Sequence, residues 1–520
     1  MSLFDVPSLT RIQDEFRQSM KRLLLDLCRD LSGDYADLSE RLDLPANFFQ
    51  FIAHALDDHS YGNWKVVGWI EALNDLVYFI DLLRQVKQER DQRNFAEQLF
   101  AECELKLFEN SYFDDLFPQG RAQVKGLAAR LERLCMKLAR EVTQESLWFD
   151  PRWAMEWHQR RGASTWVVAG TLEQHFERAE PPSTVAVGTE GVEVIVPASV
   201  VRNSRARISR VTFTVGARSI ALGKDRHSPI CTLHSNQLEW HWTRREPVEA
   251  INSHRGRVTV GSTLHYGKDR QPHDVIPTSP VQVKRIVQAW RTIERAWPEG
   301  HEVLNLLTTR VIPLKAKGVV SFSYRHRPGL SFVNCFERDN LDLIDDLIHE
   351  NSHHHLNLLL RKHVMYHGDR NQQIFYSPWR RSLRPIRGIL HATFTFTMGA
   401  LLFEKLSSWA ETKSGMKEWK EAGLTQYDLA RARFRCFEEI ESLRYSMQDL
   451  EYAGRHLKWV TGSGGRLVGQ LEEEIAQAER RIQHHREAVM KSKFGPALRR
   501  HIKELERARQ TYGPVRLRKA

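Results

Sequence analysis

Paired cysteines are the first thing this sequence lacks. Six cysteines (Cys28, Cys103, Cys135, Cys231, Cys335 and Cys436) are scattered over 520 residues with no CxxC or similar pair. That excludes a disulfide framework and a thiolate zinc site, and it suits small buried side chains in a reducing compartment. No stretch approaches the roughly 18–20 uninterrupted apolar residues of a membrane helix. The opening MSLFDVPSLTRIQDEF has no basic-then-apolar secretory pattern. The expectation is a soluble cytoplasmic protein with no membrane partner. A phosphate-binding loop is missing too. The glycines at 462, 464 and 465 are followed by no Gly-Lys-Ser/Thr, so this stretch reads as a flexible connector.

Positive charge is plentiful, at a formal +11. Much of it lies in three arginine-rich runs, at 202–210, 380–387 and 499–519. Each reads first as solvated surface and second as a patch for nucleic acid or an acidic partner. No zinc finger or RNA-binding signature accompanies them. The six histidines at 227, 234, 241, 254, 265 and 273 share no spacing that suggests a common site and read as surface or structural.

A chain this long, 41% hydrophobic, exceeds what one core usually organises. The periodicities predict an α+β protein, predominantly helical, in four regions. Residues 1–160 carry apolar residues at helical spacing, as in WIEALNDLVYFIDLLRQV, and form a helical N-terminal domain. Residues 161–335 are β-branched, with turn residues between short runs, and are mixed or β-rich. They end in a hairpin in which Val320, Phe322 and Tyr324 oppose Leu330 and Phe332 across Pro328-Gly329. Residues 336–460 form a helical core starting at Asn340 as N-cap, with a second long helix from Pro385. Residues 461–520 form a helical hairpin or coiled coil broken at Phe494-Gly495-Pro496 and available to a partner. Its apolar series Val468, Leu471, Ile475, Ala478, Ile482 and Val489 is interrupted only by His485.

The core carries the chemistry. In LDLIDDLIHENSHHHLNLLL, His349 and His353 are four residues apart and project from one helix face. Two imidazoles so placed hold one cation, with Glu350 beside them near its water. The surrounding apolar residues make unsatisfied polar groups costly, which favours a metal. His354 and His355 read as solvent-facing rings, not ligands. Leu356 and Leu359 stand where the extended zinc-protease pattern requires Gly and His, so that class is excluded. His391, one to two turns into the next helix, is the preferred third ligand, with Glu404 and Glu411 as alternatives. Between the helices, Tyr376, Trp379, Arg380 and Arg384 crowd aromatics and guanidinium groups together. This is either a pinned loop with solvated arginines or a carboxylate clamp.

These residues resemble the HExxH-type peptide-modification proteins, which include α-ketoglutarate-dependent iron peptide β-hydroxylases. The resemblance rests on His349, Glu350, His353, Leu356, Tyr376, Pro378, Trp379, Arg380, Arg384, Pro385, Gly388 and His391, and covers roughly residues 315–405. Ser382 and Leu383 stand where the family commonly has an acidic residue and Pro, and Asn351-Ser352 is more polar than usual. The resemblance implies Fe(II) on His349, His353 and His391, with vacant positions for a 2-oxo acid and O₂. It implies α-ketoglutarate held by Arg384, or second by Arg380, beside Trp379 and Tyr376. The reaction implied is hydroxylation at the Cβ of a peptide or protein side chain, the peptide adding to the hairpin edge. Glu350 then orients a ligand or water. Two alternatives remain: a zinc metallopeptidase with Glu350 as general base, and a non-enzymatic scaffold with a structural metal.

Overall fold

The computed structural model describes residues 3–42, 44, 46–106, 112–146, 165–166, 184–188, 191–195, 211–215, 219–223, 229–234, 237–240, 249–253, 256–261, 265–266, 272–273, 279–367 and 372–513. The protein is mostly helical with some strands. It divides into two compact units: residues 1–16, 248–260 and 279–520, and residues 17–247 with 261–278. The basic run at 202–210 and the histidines at 227, 241 and 254 lie outside the described residues, as does 514–520.

The second unit combines helices with a meander. The helix Trp64–Gln88 buries Trp69, Leu73, Leu76, Phe79, Ile80 and Leu83, and packs against Leu127–Ser146. The Trp69 indole N–H is satisfied there by the Val142 carbonyl at 3.0 Å. Seven antiparallel strands follow in chain order, from Thr165–Trp166 to Gln237–Trp240. Cys28 and Cys135 are buried and unpaired, and burial pushes both thiols up to about 12.

The first unit holds every candidate site residue. Its five-stranded sheet runs Phe322–Ser323, Leu330–Asn334, Arg310–Leu314, Gly256–Val260, Glu249–Ser253. Leu330–Asn334 is buried along its whole length and pairs in parallel with Arg310–Leu314. The expected hairpin is present, with Phe322 opposite Phe332 and their rings stacked at 4.5 Å. Gly329 turns it at φ 85°, a conformation glycine adopts at little cost.

Three helices matter for the site. Asn340–Lys362, the metal helix, packs on the sheet and against Ile386–Glu411, which in turn lies along Gln426–Arg455. Asp339, not Asn340, is the N-cap of the metal helix. Its carboxylate accepts from the Asp342 N–H at 3.0 Å and Asp342 returns the bond at 3.2 Å, a reciprocal pair Asn340 has no partner to form. Asn340 instead donates to the Ala422 carbonyl at 3.1 Å. Ile386–Glu411 is long and apolar enough to cross a membrane by length and composition, which the run-length reading missed because polar residues interrupt it. With 72% of its apolar window buried inside the fold, it is packed as a core helix.

Two expectations for the C-terminal region change. Gly462–Ile482 packs chiefly on Ile386–Glu411, and Gly495–Tyr512 chiefly on Gln426–Arg455, so they cover the central helices instead of zipping together. The apolar series Val468, Leu471, Ile475, Ala478, Ile482 and Val489 enters the main core. The 461–465 stretch is also no loose connector. Thr461 caps Gly462–Ile482 by accepting from the Gly464 N–H at 3.0 Å, and its hydroxyl donates to the Val364 carbonyl at 2.6 Å. A Cβ on Gly464 would fall 2.1 Å from the Met365 carbonyl oxygen, so glycine is needed for that close approach.

Candidate metal centre

The metal helix looks two ways. One side turns His349 and His353 toward Ile386–Glu411. Their ring centres are 5.0 Å apart, His349 meets the Phe396 ring at 5.4 Å, and His353 faces His391 at 6.4 Å. Two imidazoles binding one ion at about 2.1 Å have ring centres roughly 5 Å apart. His349 and His353 meet that spacing; His391 stands somewhat wide of it. The three ligand atoms do not close to 4.8 Å, as they do in one other group among the described residues, Glu411 with His484 and His485.

Both rings are half-buried. Burial, with the charges of Arg435 and Arg380, pulls His349 down to about 4, and burial with His349 pulls His353 down to about 3. Neutral imidazoles with available lone pairs are what a cation requires. His349 and His353 thus offer two neutral donors at the spacing of a shared cation, which His391 does not close in this arrangement.

The other side faces the sheet. Glu350 is 2% exposed and lies toward Ser323 of the hairpin. Burial pushes its carboxyl up to about 8 against a smaller opposing pull from the Ser323 hydroxyl, which sits outside hydrogen-bonding geometry. Its Oε2 and Ser323 Oγ both lack a hydrogen-bond partner. A buried, unsatisfied carboxyl oxygen is costly and rare in a structural role.

His354 and His355 are not solvent-facing; both are buried more deeply than the candidate ligands. His354 Nδ1 accepts from the Gly329 N–H at 3.3 Å and its Nε2 meets Ser331 Oγ at 3.1 Å, which ties the helix to the hairpin turn. His355 packs edge-on to Phe394 at 5.0 Å with Nε2 unpartnered. The hairpin covers the side of the helix that carries His354 and Ile386–Glu411 covers the side that carries His355, so neither ring meets solvent. The polar pair inside the motif is also accounted for. Asn351 donates to Thr308 Oγ1 at 3.0 Å, and Ser352 to the His349 carbonyl at 2.5 Å.

The aromatic and arginine residues sit on a small hairpin, Phe375–Ser377 with Ser382–Arg384. Arg381 takes φ 52° at its turn, a left-handed conformation that costs a non-glycine residue about 1–2 kcal/mol. That turn lays Trp379 flat on Phe396, ring centres 4.4 Å apart and 5° from parallel. Phe396 is the ring against which His349 packs. Arg380 is exposed, and its charge acts on His349; Arg384 is exposed at the end of its strand. Tyr376 faces away from this group, stacked on Tyr512 at 5.3 Å and edge-on to Tyr445 at 5.6 Å.

The alternative ligands are engaged elsewhere. Glu404 pairs with Arg481 at 2.9 Å and accepts from Ser408 at 3.0 Å. Glu411 is held by Arg433 and His485.

Sequence reasoning missed the support beneath Trp379. Glu439, on Gln426–Arg455, accepts the Trp379 indole N–H at 2.6 Å. Arg435 lies 3.3 Å from both Glu439 and Asp345, the latter one turn before His349. Burial alone would lower the Arg435 pKa; Asp345, Glu439 and Glu438 reverse that and keep it charged. Burial pushes Glu439 up to about 7, with Arg435 and the Trp379 bond opposing. The available signal was an Arg and a Glu four apart within a helix that also carries Phe434, Cys436, Phe437 and Ile440.

Compared with known proteins, the chain matches no family model and no curated protein.

Proposed function

We propose that this protein is a non-heme Fe(II)/α-ketoglutarate-dependent hydroxylase acting at the Cβ of a peptide or protein side chain in the cytoplasm. The observation that carries the reading is the pair of half-buried, neutral imidazoles, His349 and His353, facing His391 with the Arg380 charge close by. His349, His353 and His391 would hold the iron. When bound, it would supply the O₂-dependent oxidative decarboxylation of the 2-oxo acid that drives hydroxylation.

The chain's own residues do the rest. Arg380 or Arg384 binds the distal carboxylate of α-ketoglutarate, a task suited to a guanidinium that stays charged. Arg380 is favoured because its charge is felt at His349. Trp379 shields His349 through Phe396 and is itself fixed by Glu439. The short edge strand Phe322–Ser323 gives an extended peptide a place to pair. Glu350, directed toward Ser323, orients the hairpin or a water there.

The zinc-peptidase alternative draws on the motif itself and on the unpartnered Glu350 Oε2. It is disfavoured because Glu350 lies toward Ser323 of the hairpin, whereas a general base must reach the water beside the metal.

The test is succinate formation from α-ketoglutarate by anaerobically purified protein given Fe(II) and O₂. Uncoupled turnover, lost in His353→Ala, is expected. Tight stoichiometric zinc with no turnover, or peptide-library cleavage abolished by Glu350→Gln, would overturn the hydroxylase in favour of the peptidase.

A further inference from the structure

A second group of metal-binding side chains stands at the far end of the helix that carries His391. Glu411 is the last residue of Ile386–Glu411. His484 and His485 come from the tight turn Gln483–His485, between Gly462–Ile482 and Arg486–Lys491. His485 Nε2 contacts Glu411 Oε1, and His484 Nε2 lies 3.4 Å from the same oxygen. The ligand atoms of all three residues lie within 4.8 Å of one another.

Two features set this apart from an ordinary surface ion pair. Consecutive residues on an α-helix point in different directions. Here the helix tightens into a single 3₁₀ turn, and both rings reach one carboxylate; their centres are 3.9 Å apart, so the rings must swing apart by about 1 Å to share an ion. The second feature is the sequence position of His485. It breaks the apolar series from Val468 to Val489, and its side chain is only 14% exposed. An apolar residue there would add to the core. A histidine forgoes that burial and aims its ring at Glu411.

We propose that Glu411, His484 and His485 form a second divalent-metal site, of the zinc class, joining the end of the His391 helix to the turn between two C-terminal helices. Two imidazole nitrogens and one carboxylate oxygen are a common zinc donor set, with water completing the tetrahedron. Arg433 lies 3.3 Å from Glu411 Oε1 and is anchored by donating to Ser407 Oγ at 2.9 Å. Its charge opposes a cation and makes this site the weaker of the two. The site is independent of the proposed catalytic chemistry.

The experiment titrates Zn²⁺ alone into the full chain carrying His349→Ala and His353→Ala, by calorimetry and thermal unfolding. One equivalent is expected to bind and raise Tm. Both effects disappear when His484→Ala and His485→Ala are added. Glu411→Gln weakens binding by roughly 100-fold or more, since loss of a ligand exceeds the roughly 10–100-fold cost of losing an outer-shell partner. If the background variant fails to fold, wild-type protein is compared with His484→Ala/His485→Ala, and zinc stoichiometry falls from two to one. Saturation reached only at millimolar zinc, an adventitious ion only, overturns the site. So does binding that these substitutions leave unchanged.

Discussion

Four histidines lie within seven residues of one helix, and the two pairs behave differently. His349 and His353 are half-buried and turned toward each other and toward His391. His354 and His355 are fully buried, one bonded to the hairpin and the other packed on Phe394. All four are pulled well below the ordinary histidine range by burial. A depressed imidazole pKa is therefore not what marks the site. Convergence of rings on an accessible point is.

The largest effect that would break this comparison is metal content. His349→Ala or His353→Ala should abolish iron binding at this centre and α-ketoglutarate turnover, whereas His355→Leu should leave both intact; iron analysis of the anaerobically purified variants decides it. If His355→Leu also loses the iron, the two pairs are not distinct.

Next comes the support from the neighbouring helix. Glu439→Ala frees the Trp379 indole and should weaken metal affinity about tenfold, while Glu439→Gln, which keeps an acceptor, should recover most of it. Competition with a chelator measures both, and equal affinity in the two variants would sink the positioning role.

Stability should separate the two fully buried histidines. His354→Ala leaves the Gly329 N–H and Ser331 hydroxyl buried without their partner and should cost about 1–3 kcal/mol. His355→Leu removes an orphaned Nε2 and should be neutral within about 1 kcal/mol. Urea unfolding of both variants checks the order.

The smallest effect is a pH dependence on the same side of the helix. Burial pushes Asp346 up to about 6, opposed by the Ser321 hydroxyl at 2.7 Å and by Arg338. The folded protein thus holds this proton more tightly than the unfolded chain. The associated stability is present below the ordinary carboxylate range and is lost as pH rises through about 6. Asp346→Asn should flatten that decline, seen as a wild-type deficit relative to the variant that grows from pH 4 to 7.

Much of the site was legible because helical spacing is a local property. An i,i+4 pair must share a face, so His349 and His353 could be brought together on paper. Pro385 at the entry to the next helix placed His391 within reach, and the hairpin from Val320 to Phe332 followed from alternation and a Pro-Gly turn. The solvent-facing reading of His354 and His355 failed for the opposite reason. Which sides of a helix are covered depends on what packs there, and here the hairpin covers His354 and Ile386–Glu411 covers His355.

What the sequence by itself determined is the amphipathic helices of the N-terminal region, the two helices of the core, the hairpin and the two-histidine face, each set by interactions within a few residues of one another; the helices Pro280–Ala296 and Pro298–Leu307 fell inside the stretch read as mixed or β-rich. Only the tertiary structure decided that Glu350 looks to the sheet, that Glu439 and Arg435 hold Trp379 over Phe396, and that Arg380 lies close enough to act on His349. It also moved Glu411 from an alternative ligand of the HExxH pair to a partner of His484 and His485. These contacts join residues up to about ninety positions apart, as in Asp345 with Arg435. No periodicity encodes such a contact, because it arises from which helix faces the core presses together.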